Sequence, residues 1–198
     1  MRKECYMRIL RAMTFSEVSE IYHRYLHEYF PPGEVKPLTT IERLWKEGLY
    51  YTYGLYDEDI LLGFAMMVTA PGESASLLDY LAVVKEHRGS GVGSLILSSL
   101  RKLESGHVIM IETDDPDEAK SVSEREICIR RNRFYERSGA VLSDLRTDVY
   151  DCPFYIWQLT DGDLLDEEAL PASMISIYKY MIPEPDYSFH VQIPKKCM

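Results

Sequence analysis

The stretch Leu77–Leu100, LLDYLAVVKEHRGSGVGSLILSSL, runs apolar, meets a charged elbow, crosses three glycines and turns apolar again at a different spacing. The first run predicts a strand over Leu77–Val84. The second places Val92, Leu95, Ile96, Ser99, Leu100 and Leu103 on one face of a helix. A strand that turns directly into a helix over glycines commits the chain to a mixed α/β architecture. It also sets a helix N-terminus, with its exposed N–H groups and dipole, beside main chain that no Cβ shields. Such an elbow suits a diphosphate, and Arg88 adds a positive charge near the same place. A glycine turn without a ligand uses the same residue types.

Two familiar phosphate-binding patterns are excluded by spacing. A P-loop needs G-x-x-x-x-G-K-[ST], and no lysine follows Lys85 within the elbow. A dinucleotide fingerprint needs G-x-G-x-x-G, whereas Gly89, Gly91 and Gly93 are evenly spaced and Ser94 stands near the place of the third glycine.

Elsewhere strand and helix signals alternate. Tyr6–Ala12 reads as a strand and Phe15–Tyr29 as a helix capped by Thr14; a short helix fits Thr40–Glu47. Leu49–Tyr56 and Ile60–Thr69 flank the polar turn Asp57-Glu58-Asp59 as a hairpin. Val108–Thr113 is a short buried strand followed by the polar loop Asp114–Lys120. Ser123 and Glu126 form a capping box for a helix that Gly139 ends, and Ala140–Leu145 and Phe154–Thr160 complete a sheet. After Thr160 the composition changes to the acidic DGDLLDEEAL, then a helix with Pro171 in its first turn running to about Met181, then a proline-punctuated tail. The expected organisation is one domain over 1–160 with an appendage, 161–198, packed on it.

Composition narrows the function classes. A net charge of −10 disfavours a nucleic-acid backbone as partner and is compatible with attracting small cations. No run approaches the roughly 20 apolar residues that span a bilayer, and MRKECYMRIL meets charge too early for a secretory signal, so a cytoplasmic protein without a membrane partner is expected. Cys5, Cys128, Cys152 and Cys197 have no C-x-x-C spacing and read as thiols rather than as a disulfide frame or a zinc site. His23 and His27 stand at i, i+4 but lack a third ligand, so no metal is expected.

The segment Arg88-x-x-Gly91-x-Gly93, following a strand and opening a helix, resembles the acyl-CoA-binding motif of the GNAT superfamily of N-acetyltransferases. NRFYERSGAVL, Asn132–Leu142, is similar to that family's later helix: an apolar-Tyr pair, Phe134-Tyr135, then Gly139 before a strand. It departs from the commonest form at Cys128 and Arg131, where asparagine and alanine are usual. With Gly63-Phe64 and the element order, the resemblance spans about residues 6–160 and leaves the tail unaccounted for.

The resemblance implies a mixed, mostly antiparallel central sheet flanked by helices, with acetyl-CoA as co-substrate. It assigns the pyrophosphate to Arg88, Gly89, Ser90, Gly91, Val92, Gly93 and Ser94, and the pantetheine arm and thioester to the main chain of Leu81, Ala82 and Val83. Arg131, where the sequence departs from the family, is a further candidate for a phosphate contact by the anion preference of guanidinium, against the reading of Arg130, Arg131 and Arg133 as a solvated helix face. Acetyl transfer to an amine needs a base for the ammonium, stabilisation of the carbonyl oxygen and a proton for the departing thiolate. Tyr135 matches the family's tyrosine acid. Glu112, in Ile111-Glu112-Thr113, is the first choice of base and Asp79 the second. Each also has a structural reading: Tyr135 as a helix anchor, the carboxylates as hydrogen-bond acceptors. The aromatics of IYHRYLHEYFPP and the carboxylates Asp114, Asp115 and Asp117 point to a small cationic amine as acceptor. The alternatives are a protein or peptide N-acetyltransferase, and a noncatalytic acyl-CoA-binding or regulatory module, which would need neither acid nor base. The sequence leaves room for a homodimer.

Overall fold

The computed structural model describes residues 8–194; Cys5, Cys197 and the start of the expected first strand lie outside them. The strands form one sheet in the order β1-β2-β3-β4-β5-β7-β6-β8; β1 with β2, β2 with β3, β5 with β7, β7 with β6 and β6 with β8 pair antiparallel, and β4 with β5 in parallel. The chain divides into two compact units, Met1–Val68 with Asp79–Ser99, and Thr69–Leu78 with Leu100–Met198.

In the first unit, β1 (Ile9–Ala12) leads into α1 (Phe15–Ile21), whose start is fixed by a reciprocal capping box between Thr14 and Glu17. Arg11 donates to the same Glu17 at 2.6 Å. Arg11 and the main-chain donor of Thr14 hold the Glu17 carboxyl well down, to about 2. The predicted helix Phe15–Tyr29 is interrupted. A π-helical turn, Tyr22–Leu26, separates α1 from α2 (His27–Tyr29), and Tyr22, Tyr25 and Leu26 are buried in that turn. After α3 (Leu38–Lys46) come β2 (Tyr50–Asp57) and β3 (Ile60–Val68), the expected hairpin, with Glu58 in the left-handed region at the turn. Close passage of β3 beside the end of β4 (Ala75–Val83) requires Gly63. A Cβ there would lie 2.7 Å from the Ala82 carbonyl oxygen. α4 (Val92–Leu103) buries Val92, Ile96 and Leu100 of the expected face and adds Leu97, whereas Leu95 and Ser99 are half-buried and Leu103 is exposed.

In the second unit, Ala75–Leu78 of β4 pair in parallel with Val108–Ile111 of β5 (Val108–Asp114), and β5 pairs on its other side with β7 (Cys152–Leu159). α5 (Val122–Arg137) starts one overlapping capping signal earlier than predicted. Ser121, not Ser123, accepts from the Glu124 amide, and the Glu124 carboxylate accepts from the Lys120 amide. Both S-x-x-E spacings occur in KSVSERE, and the more N-terminal one wins. β6 (Val141–Val149) breaks register with β7 between Leu142 and Arg146.

The segment after Thr160 is tied in at defined points. Gln158 clamps the Leu165 peptide from both sides, and Asp166 accepts from the amides of Glu168 and Ala169 at the start of α6 (Ala169–Met181). Leu170, Ser173, Met174, Ile177, Tyr178 and Met181 form the buried stripe of this helix. α7 (Asp186–His190) and β8 (Val191–Gln192), which pairs with β6, have no counterpart in the sequence expectation.

Candidate active site

The glycine elbow of the first unit follows a 3₁₀ turn, Lys85–His87. Gly89 and Gly91 adopt φ of +76° and +82°, conformations that cost residues with a Cβ, and this reverses the chain so that Gly91 accepts the first α4 bond, from the Leu95 amide. The amides of Val92 and Gly93 therefore precede the helical ladder, at the positive end of a 12-residue helix. A Cβ at Gly89 or Gly91 would meet nothing within 4 Å. Backbone conformation, not crowding by the protein, thus requires glycine here.

Arg88 is exposed and braced. Its Nε donates to the Val83 carbonyl at 3.1 Å, and its guanidinium lies 4.5 Å from the centre of the Tyr29 ring. Ser90 donates back to the His87 carbonyl at 2.6 Å, and Tyr29 accepts from the Lys85 amide. Leu81, Ala82 and Val83 lie on β4 just before this elbow.

Asp79, on the same strand, is built into a network. One carboxylate oxygen lies 2.5 Å from Lys36 Nζ and the other accepts from the Tyr50 hydroxyl; the Asp79 side chain is 4% exposed. Burial and the adjacent Asp79 charge push the Tyr50 phenol well above its ordinary pKa. Tyr80 donates to the Glu34 carbonyl and accepts from the Lys36 amide, while Tyr22 donates to the Lys36 carbonyl. The loop between α2 and α3 is thereby sewn to β4. Lys36 and Tyr50 stand 43 and 29 residues from Asp79, so no local spacing announced them.

The aromatic cluster of the first helical region is largely interior. Tyr25 packs against Tyr29 and Phe64, Phe30 meets Tyr80 edge-on, and His23 and His27 both stand edge-on to Tyr22. No group of three or more His, Cys, Asp or Glu side chains disposed to hold a metal occurs among the described residues. A cleft of about 540 Å³ in this unit is lined by charges of both signs, among them Arg11, Glu17, Glu20, Arg24, Asp59 and Glu86.

The second unit holds the other candidates. Glu112 is half-buried on β5, opposite Ile156 of β7, and accepts a 2.6 Å hydrogen bond from the Tyr178 hydroxyl of α6. Tyr135, near the end of α5, is buried, and that burial raises its phenol to about 12; it therefore remains a proton donor at neutral pH. Arg131 pairs with Asp114 at 2.7 Å and Arg125 with Asp117 at 3.1 Å, while Asp115 accepts from the Asp117 amide. Much of the loop's negative charge is thus spent on the arginines of α5. Cys128 is buried and Cys152 exposed, both as thiols. Tyr178 was outside every sequence-derived candidate, because it lies 66 residues from Glu112 in a segment without a motif.

Residues 48–139, which carry both the elbow and the Tyr135 helix, match the family model described as the acetyltransferase (GNAT) domain. Over those residues the chain is similar to a GNAT acetyltransferase domain. The GNAT match agrees with a 31% identity over 116 residues to YjbC of Bacillus subtilis, a protein carrying an acetyltransferase designation; that alignment covers 59% of this chain and 54% of YjbC, so the chain spans about half the length of this curated relative. Among solved structures, a protein of Bacteroides thetaiotaomicron assigned to the GNAT family superposes with a TM-score of 0.71 at 22% identity, covering 88% of this chain and 99% of the other. Spermidine N-acetyltransferase of Vibrio cholerae, in complex with CoA and spermine, superposes at 0.56 and 12% identity, covering 82% of this chain and 98% of its own. These likenesses establish a GNAT fold, and the mostly antiparallel sheet anticipated from the sequence is the one observed. No helix among the described residues is long and apolar enough to cross a membrane.

Proposed function

We propose that the protein is an acetyl-CoA-dependent N-acetyltransferase that transfers the acetyl group by direct attack of an amine, without a covalent enzyme intermediate. The observation that carries this reading is the elbow. Two left-handed glycines set the α4 N-terminus at the end of β4, with Arg88 braced beside it, an arrangement suited to the pyrophosphate of coenzyme A. The main chain of Leu81–Val83 would bind the pantetheine arm and polarise the thioester.

Glu112 would take the proton of the attacking ammonium, directly or through water, and Tyr135 would give its phenolic proton to the departing thiolate. Burial, which raises the Tyr135 phenol to about 12, makes it a weaker acid than a thiol, so the second role rests on the match of Phe134-Tyr135 to the family motif and on an intact O–H that can hydrogen-bond the departing sulfur, not on the raised pKa. The network around Asp79 supports a structural role for that carboxylate: both oxygens are engaged, one by a cation. Arg131 places one guanidinium nitrogen on Asp114, so a coenzyme A phosphate would share that cation with a carboxylate.

For the acceptor, the net charge of −10 supports a small cationic amine, and the spermine-bound neighbour is compatible with it. The pairing of Asp114 and Asp117 with arginines moves the expected source of this attraction away from that loop and onto the overall field. Release of coenzyme A from acetyl-CoA, measured across amines, amino acids, polyamines, aminoglycosides and peptides with product masses confirmed, tests the reading. Turnover with a cationic small amine is the expected result. Turnover confined to a peptide would replace the acceptor class, and binding of acetyl-CoA with no turnover on any amine would replace the enzyme by a noncatalytic acyl-CoA-binding module.

A further inference from the structure

We infer that Tyr178, on the C-terminal helix outside the family match, is a positioning residue for Glu112, so that α6 belongs to the catalytic apparatus rather than merely covering it. The inference rests on the reading of Glu112 as base. Its foundation is geometric: the Tyr178 hydroxyl donates to Glu112 Oε2 at 2.6 Å, from a side chain that is 4% exposed. A short O–H···O⁻ bond from a buried, conformationally fixed ring selects one carboxylate rotamer and one direction for its remaining lone pairs.

Tyr178 is itself placed with care. The same α6 stripe sends Ser173 to Glu73 Oε2 at 2.6 Å, so the helix is pinned at two carboxylates, one before β4 and one near the end of β5. Asp166 and Gln158 fix its entry. A helix needed only to cover apolar surface would be held by Leu170, Met174, Ile177 and Met181 without polar contacts to either strand region. A phenylalanine at 178 would fill the same space.

The tyrosine has two opposed effects on the base. Its hydrogen bond favours the ionised carboxylate and so lowers the proton affinity of Glu112, while it fixes the group for attack geometry. Two residues on, Asp114 is paired with Arg131 of α5, and β7 places uncharged Ile156 opposite Glu112; Glu73, held by Ser173 of α6, lies toward the start of β5, where Ser74 accepts from the Val108 amide. Tyr178 contacts the Glu112 carboxylate through a hydroxyl hydrogen bond.

Steady-state kinetics on the full chain, with saturating acceptor, test this. Tyr178→Phe should lower kcat at the pH plateau about tenfold, leave the KM for acetyl-CoA within about twofold, and move the acidic limb of the pH profile up by about one unit. A role in packing alone would lower stability or kcat without moving that limb. In a Glu112→Gln background, Tyr178→Phe should add no further loss. If Phe at this position prevents folding, 3-fluorotyrosine incorporated at 178 keeps the ring and strengthens the donor, and should move the limb down. Wild-type turnover by Glu112→Gln would overturn the reading of Glu112 as base, and this inference with it. A large loss in Glu112→Gln combined with an unmoved limb in the 178 variants, or with equal losses in both backgrounds, would overturn the positioning role alone.

Discussion

Lys36 Nζ lies 2.5 Å from Asp79 Oδ1, joining the loop between α2 and α3 to the strand that leads into the elbow. With the Tyr50 hydroxyl on the other oxygen, both oxygens of this carboxylate are engaged by side-chain donors. Asp79→Asn should cost about 2 kcal/mol of stability, less than for a fully buried pair because Lys36 is 25% exposed. Turnover per folded molecule should change little. Urea denaturation alongside kcat measures both; a hundredfold drop in kcat with unchanged stability would return Asp79 to the role of base.

The elbow makes a separable prediction. Gly91→Val places a branched side chain at a φ of +82°, so the free protein should lose about 1–2 kcal/mol through strain alone. Gly91→Asn tolerates that φ better and has open space around it, so it isolates ligand approach from strain. Calorimetric titration with coenzyme A should show weakened binding for both variants. Normal affinity in Gly91→Asn would remove the main chain at this position from the ligand contact. Arg88→Ala should weaken binding less than either, since the helix terminus remains.

Tyr135→Phe and Glu112→Gln should each lower turnover by roughly 10² to 10⁴ with acetyl-CoA binding retained. The two losses should differ in pH response. The Glu112→Gln defect should shrink as alkaline pH deprotonates the acceptor amine in solution, whereas the Tyr135→Phe defect should persist. A chemistry-limited turnover equal to wild type in either variant would end that residue's assignment.

Stability at high pH reports the buried phenols. Tyr50 and Tyr135 are raised by burial, the latter to about 12, so the folded state holds their protons after the unfolded chain begins to lose them near 10. Their contribution is complete below pH 10 and falls as pH rises from there, ending for Tyr135 near pH 12. Denaturation midpoints at pH 8, 9, 10 and 11 should be level and then decline, and the decline should be shallower in Tyr135→Phe. An identical pH course in that variant would contradict the burial of the hydroxyl.

The parts of the molecule legible in the sequence are those set by local pattern. The elbow and the β2–β3 hairpin follow from glycine placement and a period of two residues and appear where expected, while the apolar face of α4 follows the 3.6 period at Val92, Ile96 and Leu100 but leaves Leu103 exposed and buries Leu97. The start of α5 was misplaced by two residues because two overlapping capping signals compete within one turn. The hydrogen-bonded surroundings of the candidate acids and bases were not legible. Tyr50, Lys36 and Tyr178 reach their carboxylates across 29 to 66 residues, and a lone tyrosine or lysine bears no mark of such a destination. α7 and β8 are too short for periodicity to register.

The π-helical turn at Tyr22–Leu26 has a consequence for any comparison of this chain with its relatives. Such a turn spends one residue more than an α-turn on the same rise. A homologue that is α-helical throughout has one residue fewer between Ile21 and His27, and correct alignment then needs a gap inside a helix, where gaps are ordinarily forbidden. Aligned without it, every later position of that helix is rotated by about 100°, enough to exchange the ring of Tyr29, which touches the elbow, for a neighbour facing elsewhere.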